Sequence, residues 1–167
     1  ANLSVSVTDG SNVSSFIDWN NSLVGYWNFE YTNSTHIFDN STYNHNGSFQ
    51  GDGFGQSNIT SGKYGNSLEF DGNNDDVLVS HSSSLNVQDN FTISAWIYVN
   101  DNTSAAGAQS IVTKKDSGGS YPGYAIRMSD EDWGNIDIHL NHNEEGWQVS
   151  NSEISEQTWH HIAWTYN

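Results

Sequence analysis

Twenty carboxylates stand against four cations in this chain, and several of them gather on turn-prone backbone. Asp39 and Asn46, with serine between them, form one such group, and Asp71-Gly72-Asn73-Asn74-Asp75-Asp76 forms another. A calcium ion takes six to eight oxygen ligands from carboxylates, amides and carbonyls on a bent loop. Asp39, Asn46, Asp71, Asp75 and Asp76 are therefore candidate metal ligands and calcium is the candidate cofactor. Asp and Asn also favour turns that hold no ion. Sugar recognition asks for something else, an aromatic face beside polar groups. Trp133 follows Asp130-Glu131-Asp132, and Trp147 follows Glu144-Glu145-Gly146, so both rings read as loop-borne. Ile136, Ile138 and Leu140 share one side of a strand and leave Asp137, His139 and Asn141 in a row on the other. Trp133, Trp147, Asp137 and His139 are the candidate carbohydrate-binding residues. The alternatives are rings packed over a sheet edge and a plain solvent face. The acidic clusters beside the two Trp read as solvated loops.

Catalytic constellations are missing. There is no cysteine, no Gly-x-Ser-x-Gly elbow and no His-Glu-x-x-His pair. The chain is expected not to be an enzyme. Nor does it suit nucleic acid: a net charge of −16, with only Lys63, Lys114, Lys115 and Arg127 as cations, repels phosphate and leaves no basic patch. The longest apolar run, around Ile93–Val99, is too short to cross a bilayer, so direct membrane insertion is not expected.

Asn2, Asn12, Asn20, Asn33, Asn40, Asn46, Asn58, Asn90 and Asn102 each begin an Asn-x-Ser/Thr triplet. Composition alone accounts for about five such triplets. Seven of the nine precede residue 60, in the part of the chain poorest in strand pattern. These are the candidate N-glycosylation sites, and they imply a secreted or cell-surface protein whose stability rests on its core, on ions or on assembly, with no disulfides.

The elements that must position these residues are strands. Leu3, Val5 and Val7 alternate up to the turn at Asp9-Gly10. Leu23–Phe29 reads as a strand, Asn40–Gly55 as a loop interrupted near Phe49, and Leu68–Phe70 with Val77–Val79 as a hairpin around Asp71-Gly72-Asn73-Asn74. Phe91, Ile93, Ala95, Ile97 and Val99 mark a long central strand. Ile111–Lys114, Gly123–Met128, Ile136–Leu140 and His160–Tyr166 follow. No helical periodicity is sustained, and many short strands between turns mean an all-β antiparallel sandwich. Trp27, Trp96 and Trp164 lie in strand-like runs and are expected in the core, and His160-His161 is expected to pack within its strand.

Three phrases carry a family resemblance. The first is Leu23-Val24-Gly25-Tyr26-Trp27-Asn28-Phe29-Glu30 with Asp39–Gly47. The second is Gly62-Lys63-Tyr64-Gly65-Asn66-Ser67-Leu68-Glu69-Phe70-Asp71-Gly72 through Asp76–Val79. The third pairs Phe91-Thr92-Ile93-Ser94-Ala95-Trp96-Ile97 with Trp159-His160-His161-Ile162-Ala163-Trp164-Thr165-Tyr166. In this order they resemble the laminin G-like/pentraxin-like branch of the concanavalin A-like superfamily. The resemblance implies a jelly roll over 22–167, preceded by a strand-like arm or linker over 1–21. It raises the expectation of calcium in edge loops. The Glu-x-Asp-x-x-Glu strand of the superfamily's glucanases has no counterpart here.

In such relatives the strand resembling Trp159–Tyr166 is followed by further closing strands, so the sandwich is expected to be incomplete at its C-terminal end. Either a longer polypeptide or a neighbouring chain would complete it, and the Asn2–Thr8 arm is a candidate donor strand. Two functions follow as expectations. One is a non-catalytic extracellular glycoprotein module for adhesion or for binding glycans or surface glycoproteins. The other is a structural subunit of an extracellular filament or surface layer, assembled with neighbouring subunits.

Overall fold

Buried backbone N–H and C=O groups must be paired, and the strands among the described residues pair in antiparallel ladders. The computed structural model describes residues 22–87, 89–101, 109–114, 123–129, 134–140 and 148–167. They fall into two units, Ala1–Leu85 and Asn86–Asn167.

The first unit holds β1 (His36–Ile37), β2 (Gly47–Gln50), β3 (Ile59–Ser61), β4 (Asn66–Leu68) and β5 (Asp76–Val79). Its three-stranded sheet runs β1-β2-β5, and β3 pairs with β4. The expected hairpin between Leu68–Phe70 and Val77–Val79 is corrected. The turn forms, with Asp71 Oδ1 accepting from Asn73 N–H at 2.8 Å, but β5 pairs with β2 while β4 pairs with β3. Gly47 lets β2 and β5 approach, because a Cβ there would overlap Val77 and Ile37. The strand near Phe49 is β2. Leu23–Phe29 forms no strand. Its backbone is engaged by loop groups instead: Tyr26 N–H donates to Asp39 Oδ1, and Tyr26 C=O accepts from Asn40 N–H. Trp27 Nε1–H donates to His45 C=O. Phe54 is buried between Phe49 and Phe70, with ring centroids 5.5 and 5.2 Å away.

The second unit holds β6 (Phe91–Tyr98), β7 (Gln109–Lys114), β8 (Tyr124–Met128), β9 (Ile136–Leu140), β10 (Gln148–Val149) and β11 (Trp159–Tyr166). It is a two-layer sandwich. One layer is the four-stranded sheet β10-β9-β8-β7, the other the pair β11-β6. Ile126, Met128, Ile136 and Ile154 are buried, and Ile93, Ile97, Ile162 and Trp164 of the facing layer pack on them. Phe91, Tyr124 and Leu140 continue the core, with Trp164 edge-on to Phe91 at 5.1 Å. Each fully buried aliphatic or aromatic side chain contributes about 1.5–3 kcal/mol, so this interior is the main source of the unit's stability. Trp164 is where the sequence places it, on the core.

Alternation fixes what the other side of the β6–β11 layer carries. With Phe91, Ile93, Ala95 and Ile97 turned inward, Thr92, Ser94, Trp96 and Tyr98 must point outward, and all four are exposed. The expected core position of Trp96 is thereby corrected. Its ring is on the outer face, 43% exposed.

Candidate functional site

Asp39 is buried, 6% exposed, in the turn after β1. Its carboxylate accepts four hydrogen bonds. Tyr26 N–H and Ser41 N–H donate to Oδ1 at 2.7 and 2.8 Å, and the Ser41 hydroxyl and His45 N–H donate to Oδ2 at 2.6 and 2.8 Å. Burial alone would raise the Asp39 carboxyl. The Ser41 hydroxyl and the N–H groups of Ser41, Tyr26 and His45 outweigh it and hold the group below its usual range. Asn46 Oδ1 is also engaged, accepting from Asp39 N–H at 3.0 Å. The pair thus ties loop segments together, and its oxygens face donors, an arrangement that does not fit a cation.

The Asp71–Asp76 loop is different. Asp71, Gly72, Asn73, Asn74 and Asp76 are exposed, and Asp75 Oδ2 accepts from Asp71 N–H at 3.1 Å. Among the described residues no group of three or more His, Asp or Glu side chains converges on a position for a metal ion.

Asp137 lies on β9 directly opposite Arg127 of β8. It is 2% exposed. Arg127 Nε and Nη2 both donate to its Oδ2, at 3.1 and 3.0 Å. Asp137 Oδ1 and Asn135 Oδ1 are buried with no hydrogen-bond partner. The expected solvent row is corrected at Asp137: the polar parity is right, but the carboxylate is buried and paired with one of the chain's four cations. His139, on the same side, is half-buried. Trp133 and Trp147, the clusters Asp130–Asp132 and Glu144–Glu145, and the arm over 1–21 lie outside the described residues.

Of the glycosylation candidates, Asn33, Asn40, Asn46 and Asn90 are exposed and Asn58 is half-buried. Asn33 Oδ1 accepts from Thr35 N–H, the Thr35 hydroxyl and His36 N–H, so its sequon is folded back into a turn. Asn2, Asn12, Asn20 and Asn102 lie outside the described residues.

The arrangement that site-by-site reading missed is the outer face of β6 and β11. Register places Thr92 opposite Thr165, Ser94 opposite Ala163, Trp96 opposite His161 and Tyr98 opposite Trp159. Trp96 and His161 lie 5.1 Å apart between ring centroids, Tyr98 and Trp159 5.4 Å. Trp96 is 43% and Tyr98 41% exposed. At the other end the Thr92 and Thr165 hydroxyls hydrogen-bond each other at 3.0 Å. His160, on the inner parity, is held by Ser155, its Nε2 lying 3.0 Å from the Ser155 hydroxyl. None of the eight outer-face residues is Asp, Glu, Lys or Arg. The face offers stacking surface and hydroxyl hydrogen bonds, the two things a sugar ring uses. The signal for it was in the sequence: alternation from Ile93 and Ile97 sends Trp96 outward.

A family model, Laminin_G_3, described as the concanavalin A-like lectin/glucanases superfamily, matches residues 71–167. Among solved structures the chain is similar to residues 221–444 of an S-layer domain-containing protein from Clostridium thermocellum ATCC 27405. The TM-score is 0.60 at 21% identity, over 81% of this chain and 60% of that one. This likeness is one of fold. No curated protein matches the chain.

Proposed function

The chain belongs to the concanavalin A-like lectin/glucanases superfamily, and from that premise we propose that it is a non-catalytic module of a secreted or cell-surface glycoprotein that binds carbohydrate. The observation that carries this reading is the outer face of β6 and β11, where Trp96, Tyr98, Trp159 and His161 are grouped beside hydroxyl side chains. Rings held on a rigid ladder cost little ordering entropy on binding. A contiguous exposed apolar patch rimmed by polar residues is the kind of surface that interaction sites use.

Asn33, Asn40 and Asn46, all exposed, carry N-linked glycans in this reading. Calcium in this reading belongs to the Asp71–Asp76 loop, where Asp71 and Asp76 are exposed, and not to the fully hydrogen-bonded Asp39. The second reading, a structural subunit of an extracellular surface layer or filament, draws on the fold shared with an S-layer domain-containing protein. The experiment is an oligosaccharide array probed with the intact chain. Retention of any glycan class supports the first reading, and retention of none refutes it.

A further inference from the structure

We infer that the ligand of the β6–β11 face is an uncharged, extended glycan chain lying along the two strands. This rests on the carbohydrate-binding reading and specifies the ligand and its seat.

Shape comes first. Same-face residues on a strand recur every about 6.8 Å, so the four rows from Thr92/Thr165 to Tyr98/Trp159 span about 20 Å, whereas the two strands are only about 4.8 Å apart. The face is a strip. It matches a run of linked sugar rings better than a compact branched headgroup. The rings occupy consecutive rows: Trp96 with His161, then Tyr98 with Trp159. Two successive sugars can therefore each meet an aromatic pair. The 42° and 58° tilts within the pairs leave the rings splayed, not stacked flat on one another. Trp96 and Tyr98 keep close to half their surface for a ligand. The remaining rows carry hydroxyls. Thr92 and Thr165 share one hydrogen between them, which leaves the second hydroxyl hydrogen and unused lone pairs for the hydroxyls of the next sugars.

Charge sets the class. Sulfated or carboxylated polysaccharides are held by Arg and Lys in bidentate or multiple ion pairs, and this face has neither. The chain as a whole carries −16 and repels polyanions before contact. A cationic polymer would be drawn to the chain but would find no carboxylate among the eight positions. A neutral hexose or N-acetylhexosamine oligomer meets none of these penalties.

The experiment is calorimetric titration of the intact chain with neutral linear oligosaccharides (β-linked glucose and N-acetylglucosamine series) and with heparin and polygalacturonate. Trp96→Ala, Trp96→Phe and Tyr98→Ala are run in parallel, with circular dichroism checking the fold of each. The expected result is binding of a neutral series that strengthens with chain length and is unchanged between about 0.05 and 1 M salt. Trp96→Ala and Tyr98→Ala should each weaken it at least about tenfold, and Trp96→Phe should retain most of it. Binding of the polyanions in place of the neutral series overturns the inference while leaving the carbohydrate reading standing. So does neutral binding that both alanine variants leave intact. A Trp96-dependent self-association without glycan binding assigns the face to a second copy of the chain and also overturns it. Failure of every glycan, here and on the array, removes the carbohydrate reading itself.

Discussion

Replacing Asp39 by Asn tests the account of the first unit most sharply. The two side chains have nearly the same shape, so the change isolates charge and acceptor capacity. The native carboxylate receives four donors. An amide keeps one acceptor oxygen and turns an N–H₂ group toward the other two donors. The Ser41 hydroxyl can rotate to accept from that group, but His45 N–H cannot. Hydrogen bonds to a charged group are worth about 1.5–3 kcal/mol each, and an orphaned buried donor costs about 1–3 kcal/mol. With partial relaxation the expected loss is about 2–4 kcal/mol, or about 10–20 °C in Tm for a unit of this size.

The pH dependence carries the same signature. The folded-state carboxyl lies below its unfolded value, so as pH falls the unfolded chain takes up the proton first. Asp39 thus stabilises the fold above about pH 4, and that stabilisation is lost as pH drops through the folded value. Thermal unfolding of wild type and Asp39→Asn should show the widest gap near neutrality, narrowing below about pH 4. A gap that is constant with pH, or a cost under about 0.5 kcal/mol, would refute the reasoning, because four charge-assisted bonds cannot be that weak.

In the second unit, Arg127→Met leaves the Asp137 carboxylate buried without its cation and should cost about 3 kcal/mol in chemical denaturation. The double change Arg127→Met/Asp137→Leu should recover most of it, and a double variant as unstable as the single would sink the ion-pair account. Calcium at ten times its dissociation constant should raise stability by about 1.4 kcal/mol over chelator, an effect that Asp71→Asn removes; no shift in wild type dismisses the Asp71–Asp76 loop as an ion site. Peptide mapping of natively sourced protein should find glycan on several of Asn33, Asn40, Asn46 and Asn58, and four unmodified sites would end that proposal.

Local pattern made the second unit legible and left much of the first obscure. The alternation of Phe91–Val99, Tyr124–Met128, Ile136–Leu140 and His160–Tyr166 survives as strands because each buries one face against the other layer. Leu23–Phe29 has strand-like residues yet forms no ladder, since Asp39, Asn40 and His45 take up its polar groups. That competition lies 13 and 18 residues away in sequence and has no local signature. The turn at Asp71–Asn74 was readable and the partners of its flanking strands were not, because pairing β5 with β2 is a long-range choice. Asp137 shows the same limit at a single residue: parity gave its side of the strand, but neither its burial nor Arg127 opposite.

The two functional readings make opposite demands on the same residues. A glycan platform must stay open in the unliganded protein, with Trp96 and Tyr98 in water until sugar displaces it. An assembly interface must be covered whenever the assembly exists, since leaving large rings wet forfeits the burial that would hold subunits together. The ladder itself favours neither, because alternation forces four outward side chains on each strand whatever the function. What alternation does not force is their chemistry. Aromatics make up 13% of the chain, yet Trp96, Tyr98 and Trp159 cluster in two adjacent rows of an eight-position face. Solvated strand faces are ordinarily filled with Thr, Ser and charged residues, and the opposite end of this one carries Thr92, Ser94 and Thr165 with Ala163. Cross-strand aromatic pairs also stabilise a ladder; on the carbohydrate reading proposed above, the rings and the hydroxyls that continue the same strip answer a ligand that is polar as well as flat. A protein interface core would favour apolar residues along the whole strip. A sugar chain, with apolar ring faces and hydroxyl rims, calls for the mixture that β6 and β11 present.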